Sequence, residues 1–135
     1  MSTRDDMASA ALRHVRDARG LLGGSDASLD QAWHLAGFGP ECARKAAINT
    51  PALDKVLGHE AHDAELLGWL LSLDVSAHLI VRGAAPTGGW EPAHRYEPTG
   101  ARGLADVEQL VEACEADTLA IVGGLWTAGR VSDTP

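Results

Sequence analysis

Residues 28–48 read SLDQAWHLAGFGPECARKAAI, and this stretch decides the fold class. Its apolar side chains recur at the spacing of one helix face. Gly37-Phe38-Gly39-Pro40 interrupts the pattern, because Pro40 has no N–H for the carbonyl of Ala36 and its ring crowds that carbonyl. We therefore predict one helix with a kink, closely approached by another helix at its small residues, with two shorter helices as the alternative. The apolar face consists of Leu29, Ala32, Trp33, Ala36, Ala43, Ala46 and Ala47.

Three further segments show the same periodicity on either side of this stretch. They predict helices over residues 5–22, 60–81 and 104–126, of which the last is the most clearly amphipathic. Residues 84–102 are rich in Gly and Pro, have no helical period, and form a polar loop before the last long helix. Because no segment has the pattern of a strand, we predict an all-α bundle of four to five helices.

One domain accounts for the whole chain. A length of 135 residues suits a single core, and no linker or internal repeat divides it. We expect one helical domain over residues 1–135. Its core spans about residues 5–128, followed by a disordered tail over about residues 130–135.

The composition limits the partners and the location that we expect. Asp and Glu number 19 against 11 Lys and Arg, giving a formal charge of -8, and the arginines are scattered. Nucleic-acid binding is not expected, because a phosphate backbone calls for a basic patch. The N-terminus shows no signal pattern and no long apolar run occurs, so we expect a cytoplasmic protein without membrane association. The abundance of Ala, Gly, Asp and Arg indicates a bacterial source, and the two cysteines are expected to be buried thiols.

Three stretches occur in a recognisable order. DQAWHLAGFGPECARKAA at 30–47 combines an aromatic residue, Leu-Ala-Gly, a second aromatic, Glu-Cys-Ala and a basic pair; His62-Asp63 opens an apolar helix; WEPAHRY at 90–96 precedes the last helix. Together, over about residues 28–126, they resemble the HEPN superfamily of helical bundles. The resemblance implies a HEPN-like bundle.

Many HEPN proteins are metal-independent ribonucleases, with an Arg followed four to six residues later by a His near the start of the last helix. In this chain Arg95 is followed by Tyr-Glu-Pro-Thr-Gly-Ala-Arg, and no histidine occurs after His94. The general base of that chemistry is therefore missing at the family's spacing. Other HEPN-like domains bind nucleotides, pair with nucleotidyltransferase-like partners or serve as scaffolds. The resemblance implies these roles for the chain, because they do not depend on the missing histidine.

Polar residues inside apolar segments mark a candidate site. Glu41 and Arg44 lie in an otherwise apolar helix, where they form either an internal ion pair that fixes packing or part of a polar network reaching Arg95 and Tyr96. Arg95 has a planar guanidinium suited to holding an anion. The predicted ligand-binding residues are Glu41, Arg44, Trp90, His94, Arg95 and Tyr96.

Histidines and tryptophans supply the remaining candidates. His59 and His62 are three residues apart, whereas the metalloprotease motif needs four, so we predict no metal site and no cofactor. The candidate catalytic residues are His62, His94 and Arg95, since an imidazole of ordinary pKa, ~6.5, can donate or accept a proton. Trp33 is predicted to lie in the core, and Trp126 at a partner interface.

These observations favour a HEPN-like module that works by binding rather than as a ribonuclease. It would pair with itself or with a second protein subunit and hold a small anionic ligand in a polar pocket. The alternative is a subunit of a two-component, small-molecule enzyme in bacterial specialised metabolism, using His, Arg and Glu for acid–base chemistry and for holding an anion. A toxin–antitoxin component is a third possibility.

Overall fold

The computed structural model describes residues 3–48, 90–132 and 135. These ranges are helical and contain no strand, which confirms the all-helical class for this part of the chain. The predicted helix over 60–81 lies outside the described residues, and with it the expected total of four to five helices. The described elements are α1 (Arg4–Gly20), α2 (Asp26–Ile48), a 3₁₀ helix (Pro92–Tyr96) and α3 (Leu104–Thr127).

Helix α1 begins at a reciprocal side-chain cap. The Oγ1 of Thr3 accepts the backbone N–H of Asp6 at 3.1 Å, and Oδ2 of Asp6 accepts the backbone N–H of Thr3 at 2.9 Å. These bonds satisfy two amide groups that a helix start leaves open. The backbone N–H of Thr3, and then the Thr3 side chain, lower the pKa of the Asp6 carboxyl. The helix lies within two residues of the predicted bounds.

Helix α2 is a single helix that continues through the buried Pro40. Its small residues let the other helices come close, as we predicted. A Cβ on Gly39 would overlap the Cγ1 of Val15 in α1 and would lie 2.9 Å from the Oγ1 of Thr118 in α3. Glycine at this position therefore sets how closely the three helices pack.

Two clusters of buried side chains give the helix directions. One joins the N-terminal half of α1 to the C-terminal halves of α2 and α3, and the other joins the C-terminal end of α1 to the N-terminal halves of α2 and α3. Helix α1 therefore runs antiparallel to α2 and α3, which are parallel to each other. Arg19 in α1 also binds Glu115 in α3 through two hydrogen bonds of 2.7 and 3.0 Å at the surface.

The residues after α3 are held against α1. Val131 is buried in the first cluster, and the backbone N–H of Ser132 donates to Oδ1 of Asp5 at 2.7 Å. At these two residues the structure differs from the disordered tail that we expected over 130–135. The reason is the apolar side chain of Val131, which completes the cluster formed by the end of α3 and the start of α1. No helix among the described residues has the length and apolar character needed to cross a bilayer.

Candidate functional site

A cleft lies between the first turns of α2 and the segment from His94 to Arg102. Its volume is about 130 Å³, close to the roughly 150 Å³ of an engineered cavity that holds one benzene molecule. A molecule of that size would fill it. The cleft is lined by Asp30, Gln31, Trp33, His34, His94, Glu97, Thr99 and Arg102.

Trp90 anchors the segment that forms the second wall of the cleft. Its ring is only 1 % exposed, and its Nε1–H donates to the backbone carbonyl of Trp33 at 3.0 Å. The ring packs so closely on Gly37 that a Cβ there would overlap the indole. The 3₁₀ helix begins two residues later at Pro92, whose fixed φ favours a helix start, and it brings His94 back towards α2.

His94 is the best-fixed side chain of the cleft. Its Nδ1 accepts two hydrogen bonds, from Nε1–H of Trp33 at 3.0 Å and from the backbone N–H of Glu91 at 3.2 Å. An atom that accepts two N–H groups carries no hydrogen, so the hydrogen of the neutral ring is on Nε2. That Nε2 lies 3.8 Å from Oε1 of Glu97, beyond hydrogen-bond distance.

Arg102 and Glu97 form a second fixed pair. The Arg102 guanidinium approaches both carboxylate oxygens of Glu97, at 3.2 and 3.1 Å, which is the two-pronged geometry that suits this pair. The same guanidinium lies over the Trp33 ring at 4.5 Å from its centroid. The positive charge of Arg102 is therefore matched by Glu97, and one face of the Trp33 indole is covered.

Asp30 lies on the α2 wall of the cleft. Its Oδ2 accepts the backbone N–H of Gly100 at 2.8 Å. Gly100 has a φ of 86°, a conformation that glycine adopts without the strain of a side chain. The other oxygen, Oδ1, is buried and has no hydrogen-bond partner. The Asp30 carboxylate is therefore bonded to Gly100 through one oxygen, while its other oxygen is closed off from solvent.

The structure divides the residues that we predicted for the site. His94 lines the cleft, whereas Trp90 lies in the core and Tyr96 is 76 % exposed outside it. The backbone of Arg95 belongs to the 3₁₀ helix, but its side chain is outside the description. His62 also lies outside the described residues.

Glu41 and Arg44 lie between the helices and do not line the cleft. They are 2 % and 0 % exposed, and Nη1 of Arg44 binds Oδ2 of Asp117 in α3 at 2.5 Å and the carbonyl of Pro40 at 3.4 Å. Arg44 thus forms an internal ion pair, one of the two roles we considered for it, and its carboxylate partner is Asp117. The Nε and Nη2 of Arg44 are buried without a hydrogen-bond partner.

Neither cysteine is in a disulfide, and of the two that we expected to be buried, Cys114 is buried whereas Cys42 is only partly buried. Cys114 is buried beside this ion pair. Burial raises the pKa of its thiol to about 12, and the nearby Asp117 carboxylate adds to the shift. A thiol with that pKa is protonated at neutral pH, so Cys114 is a core residue and not a nucleophile.

Sequence reasoning missed most of the cleft. Asp30, Trp33 and His34 occupy one face of α2 at intervals of three and four residues, and this polar and aromatic face was an available signal. Trp33, which we predicted to be in the core, is partly buried and lies at the border between core and cleft. The cleft residues that we did not select are Asp30, Gln31, Trp33, His34, Glu97, Thr99 and Arg102.

No group of three or more His, Cys, Asp or Glu side chains in the described ranges is arranged to hold a metal ion. No family model, curated protein or solved structure matches the chain. The function is therefore inferred from the residues of the chain itself.

Proposed function

We propose that this chain is a HEPN-like helical module that binds a small polar molecule in the cleft between α2 and residues 94–102. The observation that carries the proposal is the double hydrogen bond to Nδ1 of His94. It fixes the ring on two different elements, α2 and the start of the 3₁₀ helix, and it leaves Nε2–H as the single donor of the ring, 3.8 Å from Oε1 of Glu97. A wall that is rigid before the ligand arrives lowers the ordering cost of binding.

The same geometry favours binding over acid–base catalysis. A neutral histidine that acts as a general base needs a ring nitrogen without hydrogen that is open to the substrate. In His94 that nitrogen, Nδ1, is occupied by Trp33 and by the backbone of Glu91. His94 therefore supports the role of a hydrogen-bond donor, and the alternative of an enzyme subunit has less support.

The volume of the cleft argues against a nucleotide, and no described guanidinium is available there for an anion, the side chain of Arg95 lying outside the description. The cleft volume of about 130 Å³ is below the roughly 300 Å³ at which ordinary ligand pockets begin. Arg102 is paired with Glu97, and Arg44 is paired with Asp117 away from the cleft. A ligand smaller than a nucleotide fits the cleft, and the charge of these two guanidinium groups is already matched.

The test is a screen of small polar molecules against ¹⁵N-labelled protein by two-dimensional NMR. We expect hits to shift signals of Trp33, His94 and Gly100 and to lose affinity in His94→Ala. Tyr96→Ala is the matched control, because Tyr96 belongs to the same 3₁₀ helix but is exposed and does not line the cleft. Hits that bind His94→Ala as tightly as the unaltered chain would refute the proposal.

A second candidate role, pairing of two copies of the chain, is supported by the outer face of α3. Leu119 and Trp126 are 41 % and 46 % exposed there. In an antiparallel pair of α3 helices centred on residue 121, Trp126 of one copy would face Ala116 of the other. A large-to-small match of this kind suits a two-fold interface.

Light scattering after gel filtration tests this pairing. We expect a dimer that Trp126→Glu converts to a monomer. A chain that is monomeric at every concentration would exclude pairing. It would leave unchanged the proposal that the cleft binds a small molecule.

A further inference from the structure

One nitrogen atom of His94 holds the second wall of the cleft in two ways. Its Nδ1 accepts Nε1–H of Trp33 in α2 at 3.0 Å and the backbone N–H of Glu91, at the start of the 3₁₀ helix, at 3.2 Å. The first bond joins the wall to α2. The second caps the 3₁₀ helix, in the role that a glutamate or glutamine often takes at a helix start. Both bonds therefore depend on Nδ1 as an acceptor.

This nitrogen can accept hydrogen bonds only in the neutral form of the ring. In the neutral imidazole one nitrogen is an acceptor, whereas in the charged ring both nitrogens are N–H donors. A proton on Nδ1 would face the two N–H groups that donate to it. Turning the ring over would set a carbon against Trp33 and Glu91, so it restores neither bond. Protonation of His94 therefore breaks both bonds at once.

The charged ring has a different partner close by. Its Nε2 lies 3.8 Å from Oε1 of Glu97, and a small movement of the ring would bring the two atoms within hydrogen-bond distance. The neutral ring is thus held by Trp33 and Glu91, whereas the charged ring is attracted to Glu97. Histidine is the side chain whose charge ordinarily changes at mildly acidic pH, so a fall in pH is the signal that exchanges the two arrangements.

The other groups around the ring set the pH of this exchange and not its direction. The described residues with charged or titratable side chains that adjoin the His94 ring or line its cleft are Asp30, His34, Glu91, Glu97 and Arg102. The Arg95 side chain and residues 49–89 lie outside the description. Whatever charge these groups carry, Nδ1 is no longer an acceptor once it binds a proton.

The ends of the wall are held by bonds in which His94 takes no part. Nε1–H of Trp90 donates to the carbonyl of Trp33 at 3.0 Å, and the backbone N–H of Gly100 donates to Asp30 at 2.8 Å. Loss of the two His94 bonds therefore frees the stretch between Trp90 and Gly100, while both of its ends stay attached to α2.

We propose that His94 is a pH-dependent switch: its neutral ring fixes the 3₁₀ helix to α2, and its protonation releases that helix and opens the wall of the cleft. Control of ligand binding by this switch rests on the proposed function, because it concerns the same cleft. The release itself requires no ligand, so it can be measured on the chain alone.

Hydrogen exchange of the Trp33 indole N–H measures the release. The exposed Trp126 indole of the same chain is the internal reference, because the intrinsic exchange rate changes with pH for both. We expect Trp33 to exchange more slowly than Trp126 at pH 7.5. At pH 5.0 this protection should fall by about two- to tenfold, the factor that corresponds to one hydrogen bond. NMR of the ring nitrogens should show hydrogen on Nε2 alone at pH 7.5, and protonation of His94 over the same pH range as the loss of protection.

Two variants assign the transition to His94. His94→Asn places an amide oxygen close to the position of Nδ1 and does not titrate, so Trp33 should keep its protection at pH 5.0. His34→Gln removes the other described histidine that lines the cleft, and the transition should remain. The measurements on the unaltered chain stand even if His94→Asn does not fold.

The outcomes separate this inference from the proposed function. A His94 ring that stays neutral down to pH 5.0, or Trp33 protection that is unchanged when the ring is protonated, would overturn the switch. So would an equal loss of protection in His94→Asn, or a transition that disappears in His34→Gln. None of these results bears on ligand binding. Conversely, a screen without hits would refute the proposed function and leave the switch in place.

Discussion

The Nε1–H of Trp33 donates to Nδ1 of His94 at 3.0 Å, across 61 positions of the chain. This bond joins α2 to the 3₁₀ helix and fixes which ring nitrogen of His94 carries the hydrogen. The carbonyl of the same Trp33 accepts the Nε1–H of Trp90. Trp33 of α2 therefore binds the segment from residue 90 onward at two points. Its carbonyl binds the buried Trp90, and its indole N–H binds His94 in the cleft.

Trp33→Phe tests the bond to His94. Phenylalanine keeps an aromatic ring beneath Arg102 but has no N–H, so Nδ1 of His94 retains only the Glu91 donor. We expect the free energy of unfolding to fall by about 1 kcal/mol in urea titrations. Trp126→Phe, at an exposed position, should change it by less than about 0.5 kcal/mol. Equal effects of the two changes would contradict a structural role for the Trp33 bond.

Gly37→Ala tests the packing of the Trp90 ring against α2. The added Cβ would overlap the indole, so the ring or the helix must shift, and overpacking of this kind costs about 1–3 kcal/mol of unfolding free energy. Gly20→Ala is the control, because nothing lies within 4 Å of a Cβ at Gly20. Thermal or urea unfolding measures both. If Gly37→Ala were as stable as Gly20→Ala, the indole would not lie on Gly37.

Helix positions were readable from the sequence because they depend on local periodicity. The predicted segment 104–126 appears as α3, Leu104–Thr127, and the apolar positions of α2 face the core. The arrangement of the cleft was not readable, because it depends on contacts between distant residues. Trp90, for example, is predicted from the sequence to bind a ligand, yet its ring is buried and packs against Gly37.

The ion pair between α2 and α3 shows the same limit. The sequence indicates that Arg44 needs a partner, and a neighbour three residues away, Glu41, is the local choice. The structure supplies Asp117 instead, 73 positions away. The sequence likewise does not distinguish Arg102 from the other scattered arginines. Its contact with the Trp33 ring is visible only in the fold.

The pair of Arg44 and Asp117 yields a prediction about stability. Asp117→Ala leaves a fully buried guanidinium without its carboxylate, and it should cost about 3–5 kcal/mol of unfolding free energy. The double variant Arg44→Met and Asp117→Ala removes the stranded charge and should be more stable than Asp117→Ala alone. Urea unfolding of the three proteins checks this order, and a double variant that is less stable than Asp117→Ala would contradict it.

His14 predicts how stability depends on pH. Burial lowers the pKa of its imidazole below the ordinary value of 6.5, and Arg13 lowers it further, while Asp17 partly opposes the shift. The unfolded chain then binds a proton more readily than the folded one as the pH falls through 6.5, so this residue's contribution is present above that pH and is lost below it. His14→Gln should therefore reduce the loss of stability between pH 7.5 and 5.5, followed by urea unfolding. A difference between the two proteins that is the same at both pH values would show that His14 makes no such contribution.

The most direct test of the central claim, that the cleft beside Trp33 and His94 binds a small polar ligand, is an NMR titration of the indole N–H signals with the small polar molecules of the screen. The Trp33 indole borders the cleft, whereas Trp126 lies exposed on α3. We predict that the Trp33 signal moves and saturates while the Trp126 signal stays in place. Movement of Trp126 with Trp33 unchanged, or no saturable movement of Trp33 with any polar probe, would contradict the claim.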